Sequence, residues 1–153
     1  MAGKDADHEA PLTAPHHLEY AYKRSVGPVL GRFFAGLRDR RIEGVKTAAG
    51  RVLVPPSEYD PETGEPATED FVAVGPSGTV TTWTWVSQPR AKQPLRQPFA
   101  YALIQLDGAD TPLLHAVDAG RESRMRTGMR VRPRWRAETR GEIADIACFE
   151  PEA

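Results

Sequence analysis

Residues 98–110, with the sequence PFAYALIQLDGAD, hold the clearest strand signal in the chain. The near-continuous apolar run over 99–106 predicts a buried β-strand. The polar residues from Asp107 to Asp110 predict a turn, and the apolar residues of 113–117 predict a short return strand. The centre of the chain is therefore predicted to be β-structure.

Further strands are predicted on both sides of this pair. Residues 79–86 and 129–136 alternate in character, as half-buried strands do, and residues 142–149 complete the set. Five strands without intervening helices favour a five-stranded OB-fold Greek-key barrel over a sandwich, which needs about seven strands. The predicted fold class is mainly β, with the barrel over 69–151.

The region before the barrel is predicted to differ. Residues 1–17 are polar and include two prolines, which is typical of a disordered tail. Apolar residues recur at helical spacing over 29–41, so we predict a helix there with Pro28 in its first turn and Gly44 at its exit. A shorter helix is predicted over 18–24, and both belong to an N-terminal helical segment over 18–43.

Composition limits the classes of function. The net charge is −1, and no apolar run reaches the ~20 residues of a transmembrane helix. The N-terminal residues lack the apolar stretch of a signal peptide, so we expect a cytoplasmic protein without membrane contacts. The single cysteine, Cys148, excludes an internal disulfide framework and a zinc finger built on cysteines.

Charge is unevenly distributed along the chain. No Lys or Arg occurs between Arg51 and Arg90, whereas eight arginines occur from Arg121 to Arg140. Guanidinium groups bind phosphate in a bidentate manner, so this region is a candidate anion-binding surface. Its candidate residues are Arg124, Arg126, Arg130, Arg132 and Arg134. A solvated outer face of the barrel is the alternative interpretation of the same alternation.

Several stretches in this order resemble a family that was long catalogued as a domain of unknown function. Its members combine N-terminal helices, a rubredoxin-like zinc ribbon and an OB-fold. The resemblance runs from Tyr20 to Pro151. The stretches that carry it are 50–56 (GRVLVPP), 98–110 with 113–115, 128–135 and 145–151.

The resemblance implies a degenerate ribbon over 44–68, with a hairpin turn at Gly50. The positions at which zinc-bearing members have cysteines are Lys46, Ala49, Asp60 and Thr63, and none of these is a thiolate. We therefore expect a metal-free ribbon, because a tetrahedral zinc site needs about four nitrogen or sulfur ligands. An ion pair between Lys46 and Asp60 is one expected replacement for the metal.

The resemblance also implies a function. Members are mostly accessory subunits of thiolase-fold enzymes that act on acyl-CoA substrates. Their partners are ketoacyl-CoA thiolases, archaeal hydroxymethylglutaryl-CoA synthesis complexes and the thiolase-like aldolases of actinobacterial steroid side-chain degradation. This chain is similar to the steroid-associated, metal-free branch.

The expected role is therefore a non-catalytic subunit with no cofactor of its own. It is expected to join a lipid-transfer-protein-type thiolase or aldolase in a hetero-oligomer and to help form the site for the coenzyme A thioester. The apolar helix stripe and the ribbon supply the candidate partner contacts, which are Phe33, Phe34, Leu37, Val52 and Tyr59.

Single-stranded nucleic acid is the alternative ligand. OB-folds bind single strands through cationic grooves and stacked aromatic side chains, and Trp83 and Trp85 are predicted to share one face of their strand. Catalysis by this chain alone is not expected. His115 is near Asp107 and Asp110 in sequence, but no Ser or Cys nucleophile is placed with them.

Overall fold

The computed structural model describes residues 12–21 and 25–152. Within these residues the chain forms one α-helix and eight β-strands. The elements are α1 (Gly27–Arg38), β1 (Glu43–Lys46), β2 (Val52–Leu53), β3 (Phe71–Ala73), β4 (Gly78–Val86), β5 (Phe99–Leu106), β6 (Leu113–Val117), β7 (Arg130–Trp135) and β8 (Ile146–Pro151). Short 3₁₀ turns at Glu122–Arg124 and Ile143–Asp145 precede β7 and β8.

Strands β4 to β8 form a closed barrel in the order β4-β5-β6-β8-β7. β6 and β8 run parallel, with Val117 opposite Phe149, and the other neighbouring strands run antiparallel. This closed five-stranded arrangement confirms the predicted OB-fold and the mainly β class.

The barrel closes at the start of β4. Gly78 pairs with Leu106 of β5 on one side and with Val131 of β7 on the other. A Cβ atom at Gly78 would lie 2.6 Å from the backbone oxygen of Gln105 and 2.8 Å from Cγ2 of Ile104. Glycine is therefore required by close backbone approach at the seam.

The barrel interior holds the main hydrophobic core. Val80, Ile104, Leu113, Val131 and Phe149 are almost completely buried there. The residues of β5 alternate between buried and half-buried positions, with no fully exposed face. This burial explains why its sequence is nearly continuous in apolar residues.

The aromatic residues of β4 belong to the core rather than to an open surface. Trp83 and Trp85 are half-buried and pack against the main core cluster. The structure therefore gives the nucleic-acid alternative no exposed stacking platform on β4.

A second, three-stranded sheet lies outside the barrel in the order β2-β1-β3. β1 and β2 form the predicted hairpin, with Val45 opposite Leu53. β3, which the sequence placed within the barrel segment 69–151, instead pairs with β1, with Phe71 opposite Val45. Thus β3 contributes to the ribbon sheet.

The helix prediction is confirmed in part. α1 spans Gly27–Arg38 and has Pro28 in its first turn, but it ends before the predicted limit of 41. Gly44 does not mark its exit: it lies in β1, where a Cβ atom would be 2.6 Å from Cγ1 of Val52. Close strand packing, rather than a helix C-cap, requires this glycine.

The segment before α1 contains no regular secondary structure over residues 12–21. The predicted helix over 18–24 is therefore absent from 18–21, and 22–24 lie outside the described residues. Of the predicted tail, 1–11 also lie outside them. No helix in the described ranges combines the length and hydropathy needed to cross a bilayer.

We predict that Gly78→Ala destabilises the protein by about 1–3 kcal/mol, because the added methyl group would force apart β4 and β5. Gly31→Ala is the matched control. It adds the same methyl group to a half-buried helix position, where the nearest atom is 3.8 Å away. The control is expected to stabilise by about 0.5–1 kcal/mol. Thermal and urea unfolding measure both, and an unchanged stability for Gly78→Ala would contradict the described seam.

Candidate functional site

The predicted arginine face is present on β7. Arg130, Arg132 and Arg134 lie on the outer side of the barrel, while Val131 between them is buried. Arg130 forms a bidentate pair with Asp107, with Nη1 2.7 Å from Oδ1 and Nη2 2.6 Å from Oδ2. The alternation in the sequence therefore corresponds to a strand with arginines on its outer face and apolar residues on its inner face.

Carboxylates occupy this face. Nη2 of Arg132 lies 3.0 Å from Glu150, and Nη2 of Arg134 lies 3.1 Å from Asp118. Hydrogen bonds from Arg130 hold the pKa of Asp107 below its usual range, and the carboxylate in turn raises the pKa of Arg130. A phosphate would have to displace these carboxylates, so the three strand arginines are poor anion ligands in this structure.

The loop before β7 differs from the strand. Arg124 and Arg126 are exposed, and no carboxylate of the described residues lies within ion-pair distance of either. Arg124 lines a shallow pocket of about 320 Å³ with Ala119, Gly120 and Arg121. Of the five predicted anion-binding residues, these two retain unneutralised guanidinium groups.

The predicted partner contacts divide between core and surface. Phe33 and Leu37 are 1% and 0% exposed and pack in the main core, so for them the core interpretation replaces the interface prediction. Phe34 and Val52 are half-buried against the same core. Tyr59 remains 57% exposed.

An apolar surface at the start of α1 was missed in the sequence. A cleft of about 510 Å³ is lined by the apolar residues Val26, Leu30, Pro56 and Tyr59, together with Gly27 and the polar residues Ser25, Ser57 and Glu58. Val26, immediately before the helix, is an aliphatic residue with 49% of its surface exposed. The apolar stripe of the helix could not predict this cleft, because tertiary packing brings Val26 and the ribbon loop around Tyr59 together.

The ribbon is held by polar contacts at one of the predicted lost ligand positions. Asp60 is 3% exposed, and its Oδ1 accepts the backbone N–H of Glu62 at 2.8 Å. The predicted pair of Asp60 with Lys46 is wrong: its cationic partner is Arg51, whose Nη1 lies 3.6 Å from Oδ1. Arg51 also lies 2.7 Å from Glu62, so the turn is closed by a buried carboxylate and one guanidinium group.

No cluster of three metal-ligating side chains occurs in the part of the chain that the structure describes. Ala49 and Thr63 offer neither thiolate nor imidazole, and the side chain of Lys46 is not among those that bind zinc in proteins. The absence of zinc stays a prediction.

The residues considered for catalysis are separated. Asp107 pairs with Arg130, and Asp110 accepts the backbone N–H of Val52 at 2.7 Å, so neither orients the imidazole of His115. Burial raises the pKa of Cys148 to about 11, which keeps its thiol protonated. The two aspartates of the central turn serve the structure: one holds Arg130 and the other ties the ribbon to the barrel.

Comparison with known proteins agrees with this architecture. Residues 71–136 match the sequence family described as ChsH2, C-terminal OB-fold domain. A protein of unknown function of the DUF35 family from Sulfolobus solfataricus superposes with a TM-score of 0.62 at 22% identity, over 83% of this chain and 85% of that chain. A chain of an Ltp2-ChsH2(DUF35) aldolase superposes with a TM-score of 0.60 at 21% identity, over 84% of this chain and 98% of that chain. No curated protein sequence matches.

We predict a pH-dependent contribution of Asp60 to stability. The hydrogen bond from Glu62 lowers the pKa of Asp60, so its stabilisation is present above the unfolded-state pKa of about 3.9 and is lost as the pH falls through the folded-state value. Asp60→Asn should therefore unfold more easily than the wild type at pH 7, and the difference should shrink under acid conditions. Urea titrations between pH 7 and pH 2 measure it.

Asp70→Asn is the matched control for this prediction, because the carboxylate of Asp70 is exposed. It should not alter stability appreciably at neutral pH. Equal effects of the two substitutions, or a defect of Asp60→Asn that persists unchanged in acid, would contradict the role assigned to Asp60.

Proposed function

Residues 71–136 of this chain match the family of ChsH2 C-terminal OB-fold domains, and on this basis we propose that the chain is a non-catalytic accessory subunit of a thiolase-fold enzyme. The observation that carries the proposal is the likeness to a chain of the Ltp2-ChsH2(DUF35) aldolase. That likeness covers 84% of this chain and 98% of the other, so it extends beyond the barrel.

The arrangement of reactive side chains supports a role without chemistry of its own. His115 is 8% exposed and has no carboxylate partner among the described residues, and Cys148 is fully buried. Nucleophilic and acid–base catalysis require such groups to be paired and accessible. The partner enzyme supplies the reacting groups, and this chain supplies surface.

The partner is proposed to contact the surface at the start of α1. Val26 and Tyr59 are exposed apolar side chains on either side of the same cleft. Leu18 and Tyr20, earlier in the chain, are also exposed apolar side chains, at 68% and 75%. Aromatic anchors in such positions dominate protein–protein interfaces, whereas scattered polar contacts contribute little.

The enzyme is proposed to act on a coenzyme A thioester, cleaving or forming a carbon–carbon bond during degradation of a steroid or fatty acyl side chain. The thioester is bound by the complex. Arg124 and Arg126 are the proposed contacts to its phosphates, because the arginines of β7 are already paired with carboxylates.

We predict that Val26→Asp combined with Tyr59→Asp abolishes co-purification of the chain with the thiolase-fold enzyme of its host. Loss of two interface anchors should weaken binding by about 2 kcal/mol or more, which is roughly thirtyfold. The fold should survive, because both side chains are largely exposed, Val26 at 49% and Tyr59 at 57%. Pull-down and thermal unfolding of the same samples measure the two effects.

Ala137→Asp is the control for this experiment, since it introduces an aspartate at an exposed loop position that does not line the cleft. It should leave co-purification intact. If the double variant remains folded and still binds the enzyme, the partner contacts another surface and this part of the proposal fails.

A further inference from the structure

A cleft of about 570 Å³ lies on the face of β5 and β6. Tyr101 of β5 and Leu114 of β6 form part of its wall, and the loops that precede β5 and β8 close it on two sides. β5 and β6 are the second and third strands of the barrel. In OB-folds this face, together with the loops between strands one and two and between strands four and five, binds ligands.

Three cations line this cleft: Lys92, Arg96 and Arg136. No Asp or Glu is among its described lining residues, and none of the three cations lies within 4.0 Å of a carboxylate oxygen in the described ranges. Arg136 interacts at longer range with the buried carboxylate of Asp145. Arg96 donates from Nη1 to the backbone oxygen of Ala91 at 2.5 Å, which orients its guanidinium group and leaves other donors free. The arginines of β7, in contrast, are each within ion-pair distance of a carboxylate.

The remaining lining is largely apolar. Leu114 and Ile143 are 61% and 42% exposed, which is unusual for large aliphatic side chains, and Tyr101 presents a half-buried ring beside them. His115 lies beneath, with its ring 5.4 Å from that of Phe149. Burial lowers the pKa of His115, so at neutral pH the imidazole is uncharged and extends the apolar floor.

We propose that this cleft binds a nucleoside phosphate, with the base against Tyr101, Leu114 and Ile143 and the phosphates at Lys92, Arg96 and Arg136. The volume lies within the range of small-molecule sites. An apolar floor with a cationic rim and no Asp or Glu in its lining suits a ligand that has both a flat ring and negative charge. Inorganic phosphate would leave the floor exposed, and a neutral ring compound would leave the cations unused.

The proposal goes beyond the accessory role, because every residue that lines the cleft belongs to this chain. The proposal can therefore be tested on the isolated chain. A free nucleotide and the nucleotide end of coenzyme A share the required chemistry, and two probes separate these sources: ADP represents the first, and adenosine 3′,5′-bisphosphate represents the second.

The test is calorimetric titration of the isolated full chain with each probe at low ionic strength, with inorganic phosphate and a twelve-residue oligothymidylate as comparison ligands. The wild type is expected to bind at least one nucleotide, more tightly than phosphate. Lys92→Gln combined with Arg136→Gln should weaken that binding by about tenfold or more, since each removes a charge-assisted hydrogen bond.

The matched control is Lys46→Gln combined with Arg140→Gln, which removes one lysine and one arginine outside the cleft. It is expected to retain the wild-type affinity. Tighter binding of ADP identifies a free nucleotide. Tighter binding of the bisphosphate identifies the nucleotide end of coenzyme A, and this cleft would then replace Arg124 and Arg126 as the proposed site of those phosphates. In both cases the amide resonances of Leu114 and Ile143 should shift.

Three results would overturn the proposal. The first is no nucleotide binding by the wild type, and the second is an equal loss of affinity in the cleft variant and its control. The third is tighter binding of the oligonucleotide than of either nucleotide, with an affinity that falls with salt as steeply as contacts to several phosphates require. The readout does not involve the partner enzyme. Failure here therefore leaves the accessory role standing, and failure of co-purification leaves this site standing.

Discussion

The barrel depends on the backbone pairing at its seam. β4 pairs with both β5 and β7 at Gly78, and this closure leaves no open sheet edge within the barrel. Closure also fixes where the connecting loops emerge. The loop that carries Lys92 and Arg96 and the loop that carries Arg136 meet over β5 and β6 because the strands they join are held in one cylinder.

The ribbon and the helix are attached to this barrel by a small number of specific contacts. Asp110 accepts the N–H of Val52 and donates its own N–H to the oxygen of the same residue, and Thr111 bonds similarly to Val54. Phe33 and Leu37 place α1 in the same hydrophobic core as the barrel. With Asp60 and Arg51 closing its turn, the ribbon is held by side chains from within the described chain.

Much of the barrel could be predicted from local pattern. Apolar runs and strict alternation identified the five barrel strands, because burial and pleat act over adjacent residues. The bounds of the last were wrong: the predicted strand over 142–149 begins with a 3₁₀ turn, and β8 spans Ile146–Pro151. The pairing of β3 with β1 could not be seen in this way, since it is set by tertiary contact across more than twenty residues. The same holds for Gly44, whose role depends on Val52 of the neighbouring strand.

The site was predicted less completely, for a related reason. The pattern placed Arg130, Arg132 and Arg134 on one face, but their neutralisation depends on Asp107, Asp118 and Glu150, which come from other strands and turns. Lys92, Arg96 and Arg136 lie in two different loops, so no sequence pattern linked them. Phe33 and Phe34 showed an amphipathic helix, but not which of the two would be buried more deeply.

If the chain is an accessory subunit, the proteins found with it in its host decide the account. The most direct measurement is native mass spectrometry of the full chain after affinity purification from its host, with identification of every component. The account predicts a complex in which this chain and a thiolase-fold enzyme are present in fixed stoichiometry. Recovery of the chain alone, or with nucleic acid and no thiolase-fold subunit, would contradict it.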